Sequence, residues 1–308
     1  MSVAKPPFDT IICPDGPEAI AQAATLIRAG HPVAVPTETV YGLAADATNG
    51  EAVAAIYAAK GRPSFNPLIV HVIDLAAAEH IAVFDDRARA LAAAHWPGPL
   101  TLVLPLRETS GIASLVVAGL TTIAIRVPAH PAMRAVIDAV ARPLAAPSAN
   151  ASGTISPTRA AHVLASLGSL IPMIIDGGAC AVGIESTIVA SSAEGLRLLR
   201  PGPIDLGLIP EQSDIIEAPG QLASHYAPTK LLRLEAIDRR ADEWMIGFGT
   251  IDGDSNLSCS GDLTEATARL FDLLHEADGS TAHAIAVAPV PRKGLGIAIN
   301  DRLSRAAA

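Results

Sequence analysis

Lys60 and Arg62 stand two residues apart in a turn rich in glycine and proline, and Asn66 and His71 follow shortly after. A flexible ammonium and a forked guanidinium at this spacing could together hold a triphosphate, because both donate charge-assisted hydrogen bonds to phosphate oxygens. The alternative interpretation is structural. Cations are common in the last turn of a helix, where they complement the helix dipole.

Two other polar features accompany predicted strands. A hydroxyl-rich turn containing Thr39 and Tyr41 follows a predicted strand at 33–36. Arg126 lies in an otherwise apolar strand at 123–127, and a charge in such a strand is rarely placed without a partner. The simplest structural interpretation of Arg126 is a satisfied salt bridge.

Ser148 and Asn150 come directly after a predicted strand at 144–146, and Ser156 precedes a predicted helix at 158–167. As structural residues they are ordinary turn and cap formers, and Ser156 could cap that helix. Hydroxyls and backbone amides at the N-terminus of a helix are also a ready anion site. The sequence pattern leaves both interpretations open.

Two further polar segments are candidates for a site. Ser186 lies in a polar turn beside a strand, and Arg200 closes the next strand. His225 and Tyr226 are adjacent in a proline-punctuated segment, where they could be no more than a turn.

The commonest catalytic and nucleotide-binding motifs are absent from the sequence. We find no GxxxxGK[ST], GxGxxG, HExxH or GxSxG pattern, and the histidines have no companions at metal-ligand spacing. No metal site is therefore predicted, and ATP, if it binds, does so outside the commonest nucleotide motifs.

Composition limits the class of protein. Of 308 residues, 50% are apolar and 17% are charged, which indicates a globular chain with one large or two modest domains. The net charge of −9 argues against a general nucleic-acid or membrane surface, so an anion site must be a local positive pocket. Three widely spaced cysteines and an N-terminus with no apolar signal core fit a cytoplasmic protein.

The order of predicted elements indicates an α/β (α+β) fold. Helices are predicted at 17–29, 51–60, 85–95, 131–141, 158–167, 263–277 and 295–305. Strands are predicted at 33–36, 68–72, 100–104, 123–127, 144–146, 173–175, 187–190, 196–199, 231–234, 244–248 and 284–287. Because helices and strands do not alternate regularly before residue 200, we expect a mixed sheet there.

The chain divides into three predicted regions. A catalytic domain is predicted at 10–202, and a proline-rich linker that covers the site at 203–230. Regular alternation resumes after it and predicts a small α/β domain at 231–308.

These segments together resemble the YrdC-like L-threonylcarbamoyladenylate synthases, in their longer two-domain form. The matching segments are PTETVYGL (36–43), KGRPSFNPLIVHV (60–72), WPGPLTLVL (96–104), TTIAIRVPAHP (121–131), AAPSANASG (145–153), IIDGG (174–178), GIESTIV (183–189), LLRPGPI (198–204) and HYAP (225–228). Each is weak alone, but nine in family order are specific, and they cover about residues 10–230. The tail at 294–307 resembles the end of the longer form's second domain, so the resemblance implies a YrdC-like twisted sheet followed by a small Rossmann-like domain.

The resemblance also implies a reaction. L-threonine, bicarbonate and ATP would give threonylcarbamoyl-AMP and pyrophosphate, which feed the N6-threonylcarbamoyladenosine modification of ANN-decoding tRNAs. The expected cofactor is Mg²⁺, held mostly by ATP and water, and tRNA would be reached only weakly or through downstream transfer proteins.

Residue roles follow from the matching positions. Lys60 and Arg62 are expected to be catalytic. The resemblance assigns ATP binding to Arg62, Asn66, Thr122, Ser148, Ser156, Arg200 and Tyr226. It assigns threonine binding to Thr39, His71, Arg126, Ala146 and Ser186, with Arg126 as partner of the carboxylate. Tyr41, Asn150 and His225 are expected to be supporting residues, and 225–226 to fold over the site and exclude water.

Two alternatives belong to other classes of function. The fold could serve an RNA-binding or ribosome-associated module that uses the concave sheet, with double-stranded RNA binding as one form of it. The acidic balance and the 3% aromatic content argue against this, since single-strand binders use basic grooves with stacking aromatics. A carbamoyl transferase of the hydrogenase-maturation type contains a related domain, but those larger proteins carry cysteine-rich zinc segments, and this chain has no CxxC.

Overall fold

A computed structural model describes residues 7–210, 216–221 and 224–308. The elements in chain order are β1 (Ile11–Pro14), α1 (Pro17–Arg28), β2 (Val33–Val35), β3 (Gly42–Asp46), α2 (Gly50–Lys60), β4 (Ile69–His71), α3 (Leu75–Ile81), α4 (Asp86–His95), β5 (Leu100–Pro105), α5 (Ser114–Val117), β6 (Thr122–Arg126), α6 (Pro131–Val140), β7 (Leu144–Ala145), α7 (Ala160–Leu167), β8 (Met173–Asp176), β9 (Thr187–Ser192), β10 (Gly195–Arg200), β11 (Leu231–Arg233), β12 (Glu243–Gly247), β13 (Ser255–Asn256), α8 (Leu263–Gly279), β14 (Ala284–Val287) and α9 (Leu295–Ala306).

The first ten strands form one mixed sheet in the order β1-β8-β2-β3-β7-β4-β6-β5-β9-β10. Parallel pairs such as β4–β6 and β5–β9 stand beside antiparallel pairs such as β2–β3 and β9–β10. The predicted mixed sheet is confirmed. The carboxyl ends of β4 and β6 lie side by side, since His71 is in register with Arg126.

The second sheet is small and parallel, with the order β11-β14-β12-β13, and α8 and α9 follow two of its strands. This arrangement confirms the predicted Rossmann-like α/β domain. Strand β10 ends at Arg200 and β11 begins at Leu231, and the proposed boundaries at 202 and 231 stay predictions.

One apolar cluster joins the two sheets. Ile155, Ile184 and Tyr226 from the first part of the chain and the linker pack with Phe271 of α8 and its neighbours. Gly183, at φ +80°, lies so close to α8 that an added Cβ would be 2.4 Å from the backbone oxygen of Ala268. The turn before β9 is therefore fitted directly onto the second domain.

Helix ends follow their local sequence. Asn49 caps α2 by accepting hydrogen bonds from the backbone of Glu51 and Ala52, and α2 ends at Gly61, whose φ of 58° suits glycine. Ser156 does not cap α7 as expected, because that helix begins later, at Ala160.

Several elements differ from the sequence expectation. β1, β3, α3, the one-turn α5 and the two-residue β13 were not predicted. β3 is composed largely of glycine and alanine, which have low strand propensity, and it is a strand because β2 and β7 pair with its two edges. No helix among the described residues is long and apolar enough to cross a membrane.

Candidate active site

A narrow cleft lies at the carboxyl ends of β4 and β6. It is lined by Thr37, Thr39, Val40, Gly42, Arg62, Ile69, His71, Arg126, Ala146, Pro147, Ser148, Glu185, Ser186, Arg200, Pro219, His225 and Tyr226. Most of its polar lining residues come from segments that the sequence analysis marked as polar.

Arg62 reaches the cleft from the turn after α2 and is almost completely buried. Its Nε donates to the carbonyl oxygen of Asn66 at 3.1 Å and its Nη2 to that of Pro67 at 2.9 Å. No carboxylate of the described residues pairs with it, and burial lowers its pKa to about 10. A buried cation without a counter-ion favours the binding of an anion.

Arg200 provides a second buried guanidinium in the lining of the cleft. Its Nη2 donates to the carbonyl oxygen of Ser186 at 2.9 Å and to the Ser186 hydroxyl at 3.1 Å, and its Nη1 to the carbonyl oxygen of Pro219 at 3.4 Å. Burial lowers the pKa of Arg200. Among the described residues, Arg200 too forms no salt bridge.

Arg126 is different, because it has an acidic partner. Its Nη2 contacts Glu38 at 2.5 Å, its Nη1 donates to Thr39 Oγ1 at 3.0 Å and its Nε to the carbonyl oxygen of Gly98 at 3.1 Å. A guanidinium carries five N–H groups, so two remain for a ligand. The structure therefore contains the expected salt bridge and still leaves Arg126 able to bind an anion.

His71 lies beside Arg126 on the neighbouring strand, and its buried Nδ1 has no partner among the described residues. Burial, helped by the positive charge of Arg126, lowers the pKa of His71 to about 3. His71 is therefore a neutral hydrogen-bonding group at neutral pH.

Lys60 lies beneath the cleft and does not line it. Its Nζ donates to the carbonyl oxygens of Ser148, at 2.5 Å, and of Asn150. Burial and the nearby charge of Arg62 lower the pKa of Lys60 well below its usual value. In this position Lys60 holds the turn that carries Ser148.

The linker residues His225 and Tyr226 close one side. Tyr226 packs on Phe271 with 5.5 Å between ring centroids, and its φ of 64° is unusual for a residue with a side chain. The backbone N–H of His225 donates to the carbonyl oxygen of Arg305 in α9. The second domain thus fixes these two residues at the cleft.

The structure brings most of the predicted site residues together. Those that line the cleft are Thr39, Arg62, His71, Arg126, Ala146, Ser148, Ser186, Arg200, His225 and Tyr226. Those that lie outside its lining are Tyr41, Lys60, Asn66, Thr122, Asn150 and Ser156.

Three of the predicted residues outside the lining, Tyr41, Asn150 and Thr122, have positions that can be described. Tyr41 donates to the carbonyl oxygen of Gly178 at 2.7 Å, and Asn150 donates to the carbonyl oxygens of Ala151 and Thr154. Thr122 lies at the opposite end of β6 from Arg126, about 13 Å away at the usual rise of a strand. Its assignment to ATP stays a prediction.

Asn66 and Ser156 are both buried. Neither atom of the Asn66 amide has a partner among the described residues, which leaves it available to a ligand. Ser156 donates to Glu185 Oε1 at 2.5 Å.

Sequence reasoning missed three residues of the cleft and its edge: Thr37, Glu38 and Glu185. Thr37 accepts from the backbone of Thr39 and organises the hydroxyl-rich turn. For Glu38 the sequence contained a signal, since a charge in an otherwise apolar strand, such as Arg126, is rarely placed without a partner.

Comparison with known proteins identifies the family. A family model described as "Telomere recombination", which covers the Sua5, YciO and YrdC proteins, matches residues 25–202. A second model, "Threonylcarbamoyl-AMP synthase, C-terminal domain", matches residues 192–308. The chain belongs to the Sua5 family. The predicted two-domain resemblance is thereby confirmed.

Individual relatives agree with this assignment. The threonylcarbamoyl-AMP synthase of Bacillus subtilis is 40% identical, with 94% of this chain and 92% of the relative covered. The crystal structure of Pyrococcus abyssi Sua5 complexed with L-threonine matches with a TM-score of 0.87 and 36% identity, over 97% of both chains. A variant of the same protein, with a histidine and the adjacent tyrosine replaced by alanine, also matches with a TM-score of 0.87 at 35% identity, over 97% of this chain and 96% of that one.

Proposed function

We propose that this protein is an L-threonylcarbamoyladenylate synthase, which condenses L-threonine, bicarbonate and ATP into threonylcarbamoyl-AMP and pyrophosphate. The observation that carries the proposal is the pair Arg62 and Arg200, two buried guanidiniums in one cleft bonded only to carbonyl and hydroxyl oxygens. Membership in a family of enzymes named for this product supports it.

The uncompensated arginines fit the phosphates of ATP. Each buried guanidinium gains an anionic partner when a phosphate oxygen approaches, and the orphaned amide of Asn66 gains a hydrogen bond. Ser148 offers its hydroxyl from the turn that Lys60 holds. Arg62 and Arg200 thus supply positive charge at the cleft, although the protein as a whole is acidic.

The other part of the cleft fits the amino acid. The two remaining N–H groups of Arg126 suit the threonine carboxylate, and His71, Thr39 and Ser186 offer neutral polar groups around it. A relative crystallised with L-threonine supports this assignment.

The chemistry needs alignment and charge neutralisation more than a protein nucleophile. The amino nitrogen of threonine and bicarbonate give a carbamate and water. A carbamate oxygen then attacks the α-phosphorus, and the bond to the β-phosphate oxygen breaks as pyrophosphate leaves. Arg62 and Arg200 neutralise the charge that develops on the phosphates.

Magnesium enters this proposal as part of the substrate. The described residues contain no group of three acidic, histidine or cysteine side chains that could hold a metal ion. The two carboxylates at the cleft, Glu38 and Glu185, are each paired with an arginine. Mg²⁺ would therefore be bound by the ATP phosphates and water.

The linker completes the site by excluding water. The sequence contains one adjacent histidine–tyrosine pair, His225-Tyr226, and both residues line the cleft. Excluding water limits hydrolysis of a labile mixed anhydride. Transfer of the product to tRNA would need further proteins.

The test is to incubate the purified protein with ATP, Mg²⁺, L-threonine and bicarbonate, and to measure threonylcarbamoyl-AMP by mass spectrometry and pyrophosphate by a coupled assay. We expect equal amounts of both products, dependent on threonine and bicarbonate. Phosphate or pyrophosphate release that does not depend on threonine would contradict the proposal.

A further inference from the structure

Arg302 belongs to the last helix, α9, yet its side chain is fully buried against the active-site wall. Its Nε donates to Glu185 Oε2 at 2.8 Å, and its Nη1 contacts the neighbouring Asp301 at 2.6 Å. Neither the sequence nor the proposed reaction assigns a task to this arginine.

Arg302 is linked to the cleft through its ion pair with Glu185, which is a lining residue. Glu185 lines the cleft, and its other carboxylate oxygen accepts a hydrogen bond from Ser156 at 2.5 Å. Burial by itself would raise the pKa of Glu185, but the charges of Arg302 and Arg200 keep it below its usual value. The carboxylate is therefore ionised inside a cleft that has to accept a polyanion.

An ionised carboxylate facing phosphates would weaken ATP binding unless its charge is offset. Arg200 is near enough to lower the pKa of Glu185, but it bonds to Ser186 and Pro219 and forms no salt bridge with Glu185. Arg302, in contrast, is in direct contact with Glu185, with 2.8 Å between Nε and Oε2.

Arg302 also supports the linker. Its guanidinium carbon lies 5.3 Å from the centroid of the Tyr226 ring, within the range of a cation–π contact. One side chain of the second domain thus contacts both the acidic wall residue and the aromatic residue that closes the site.

We propose that Arg302 is a positioning residue for ATP, supplied by the second domain: it neutralises and orients Glu185 and seats Tyr226 at the cleft. The inference rests on the proposed function for its substrate. It gives the short second domain a specific task, which is to complete the charge balance of an active site built on the first sheet.

The experiment compares four forms of the full-length protein with the wild type: Arg302→Met, Glu185→Gln, the double variant, and Arg233→Met. The last is a matched control, because Arg233 forms an ion pair of 2.6 Å with Glu243 inside the same domain and does not line the cleft. Binding of a non-hydrolysable ATP analogue is measured by calorimetry at pH 6 and pH 8, alongside KM and kcat, with amide exchange of residues 224–230 as a second readout.

We expect Arg302→Met to weaken binding of the analogue at pH 8 by about tenfold or more, with a smaller loss at pH 6, because losing Arg302 raises the pKa of the buried Glu185 and less of it is ionised at the lower pH. The double variant should bind within about threefold of the wild type, because neither charge is then left uncompensated. Amide exchange of the linker should rise in Arg302→Met and not in Arg233→Met.

Three results would overturn the proposal. One is a folded Arg302→Met variant that binds the analogue as tightly as Arg233→Met at both pH values. Another is a folded double variant that binds as poorly as the single variant. The third is a tenfold loss in Glu185→Gln alone, which would make Glu185 a ligand of ATP. If Arg302→Met does not fold, the double variant decides, since removing both buried charges is better tolerated than removing one.

The same measurements separate this inference from the proposed function. Analogue binding does not require turnover, so a wild-type protein that binds the analogue and makes no threonylcarbamoyl-AMP would refute the function alone. Normal product formation by both the wild type and Arg302→Met would refute only the role of Arg302.

Discussion

Arg126 contacts Glu38 at 2.5 Å, and this ion pair fixes a buried guanidinium in the lining of the cleft. Burial alone would raise the pKa of Glu38, but the charge and hydrogen bond of Arg126 keep it below its usual value. The pair therefore stays ionised at neutral pH. It orients the fork of Arg126 before any ligand arrives.

The first prediction concerns this fork. Arg126→Lys keeps a positive charge beside Glu38 but loses the two N–H groups that suit a carboxylate. We expect the KM for L-threonine to rise about 10- to 100-fold, while the KM for ATP changes by less than about threefold, as for the loss of one charged hydrogen-bonded contact. Steady-state kinetics with each substrate varied in turn measures this.

Arg142→Lys is the matched control. Arg142 forms an ion pair with Asp46, with 2.6 Å between Nη1 and Oδ2, and neither residue lines the cleft. It should leave both KM values unchanged. Equal increases in both KM values for Arg126→Lys would argue that the substitution disturbs the whole cleft and not the threonine position.

The second prediction concerns Arg62. Arg62→Ala should lower kcat/KM for ATP roughly 100- to 1,000-fold, because a donor aimed at developing phosphate charge is removed. The fold should persist, since Arg62 bonds only to the carbonyl oxygens of its own turn. Circular dichroism and product formation measured on the same sample test both statements.

Arg89→Ala serves as the comparison, because Arg89 is a half-exposed residue paired with Glu79. Exposed ion pairs of this kind contribute little to stability, so its activity and fold should match the wild type. Near-wild-type activity in Arg62→Ala would remove Arg62 from the mechanism.

The third prediction concerns the linker. Tyr226→Ala should release more pyrophosphate or phosphate per threonylcarbamoyl-AMP formed, because water then reaches the intermediate. Tyr226→Phe keeps the ring that packs on Phe271 and should stay coupled, since the ring provides the packing that keeps water out. The ratio of the two products is the measurement, and an unchanged ratio in Tyr226→Ala would refute a closing linker.

Much of this architecture could be predicted because local patterns agree with the fold. The apolar run of β4 and the glycine that ends α2 gave both elements within a residue or two. β3 could not be found this way, because its glycine and alanine residues are held in place by strands distant in sequence.

The residues of the candidate site also divide into those that the local sequence predicts and those that it does not. Arg62 and His71 could be found because each lies in a polar segment next to a predicted strand or helix. Arg302 could not, since it lies 117 residues beyond the cleft residue it contacts, in a helix whose charge pattern resembles a solvated face. The contact depends on how the two domains pack, and a local pattern contains no information about that packing.

The fourth prediction concerns acid stability. Burial, together with the nearby charge of Arg126, lowers the pKa of His71 to about 3 in the folded state, whereas an unfolded histidine titrates near 6.5. As the pH falls from 7 to 5 the unfolded chain takes up a proton at this residue and the folded protein does not, so folding loses about 2 kcal/mol. His71→Asn removes this pH-dependent contribution to the folding free energy, because asparagine does not titrate. Urea unfolding at pH 7 and pH 5 should therefore show a loss about 2 kcal/mol smaller in His71→Asn than in the wild type, and equal losses would show that His71 does become protonated in the folded protein.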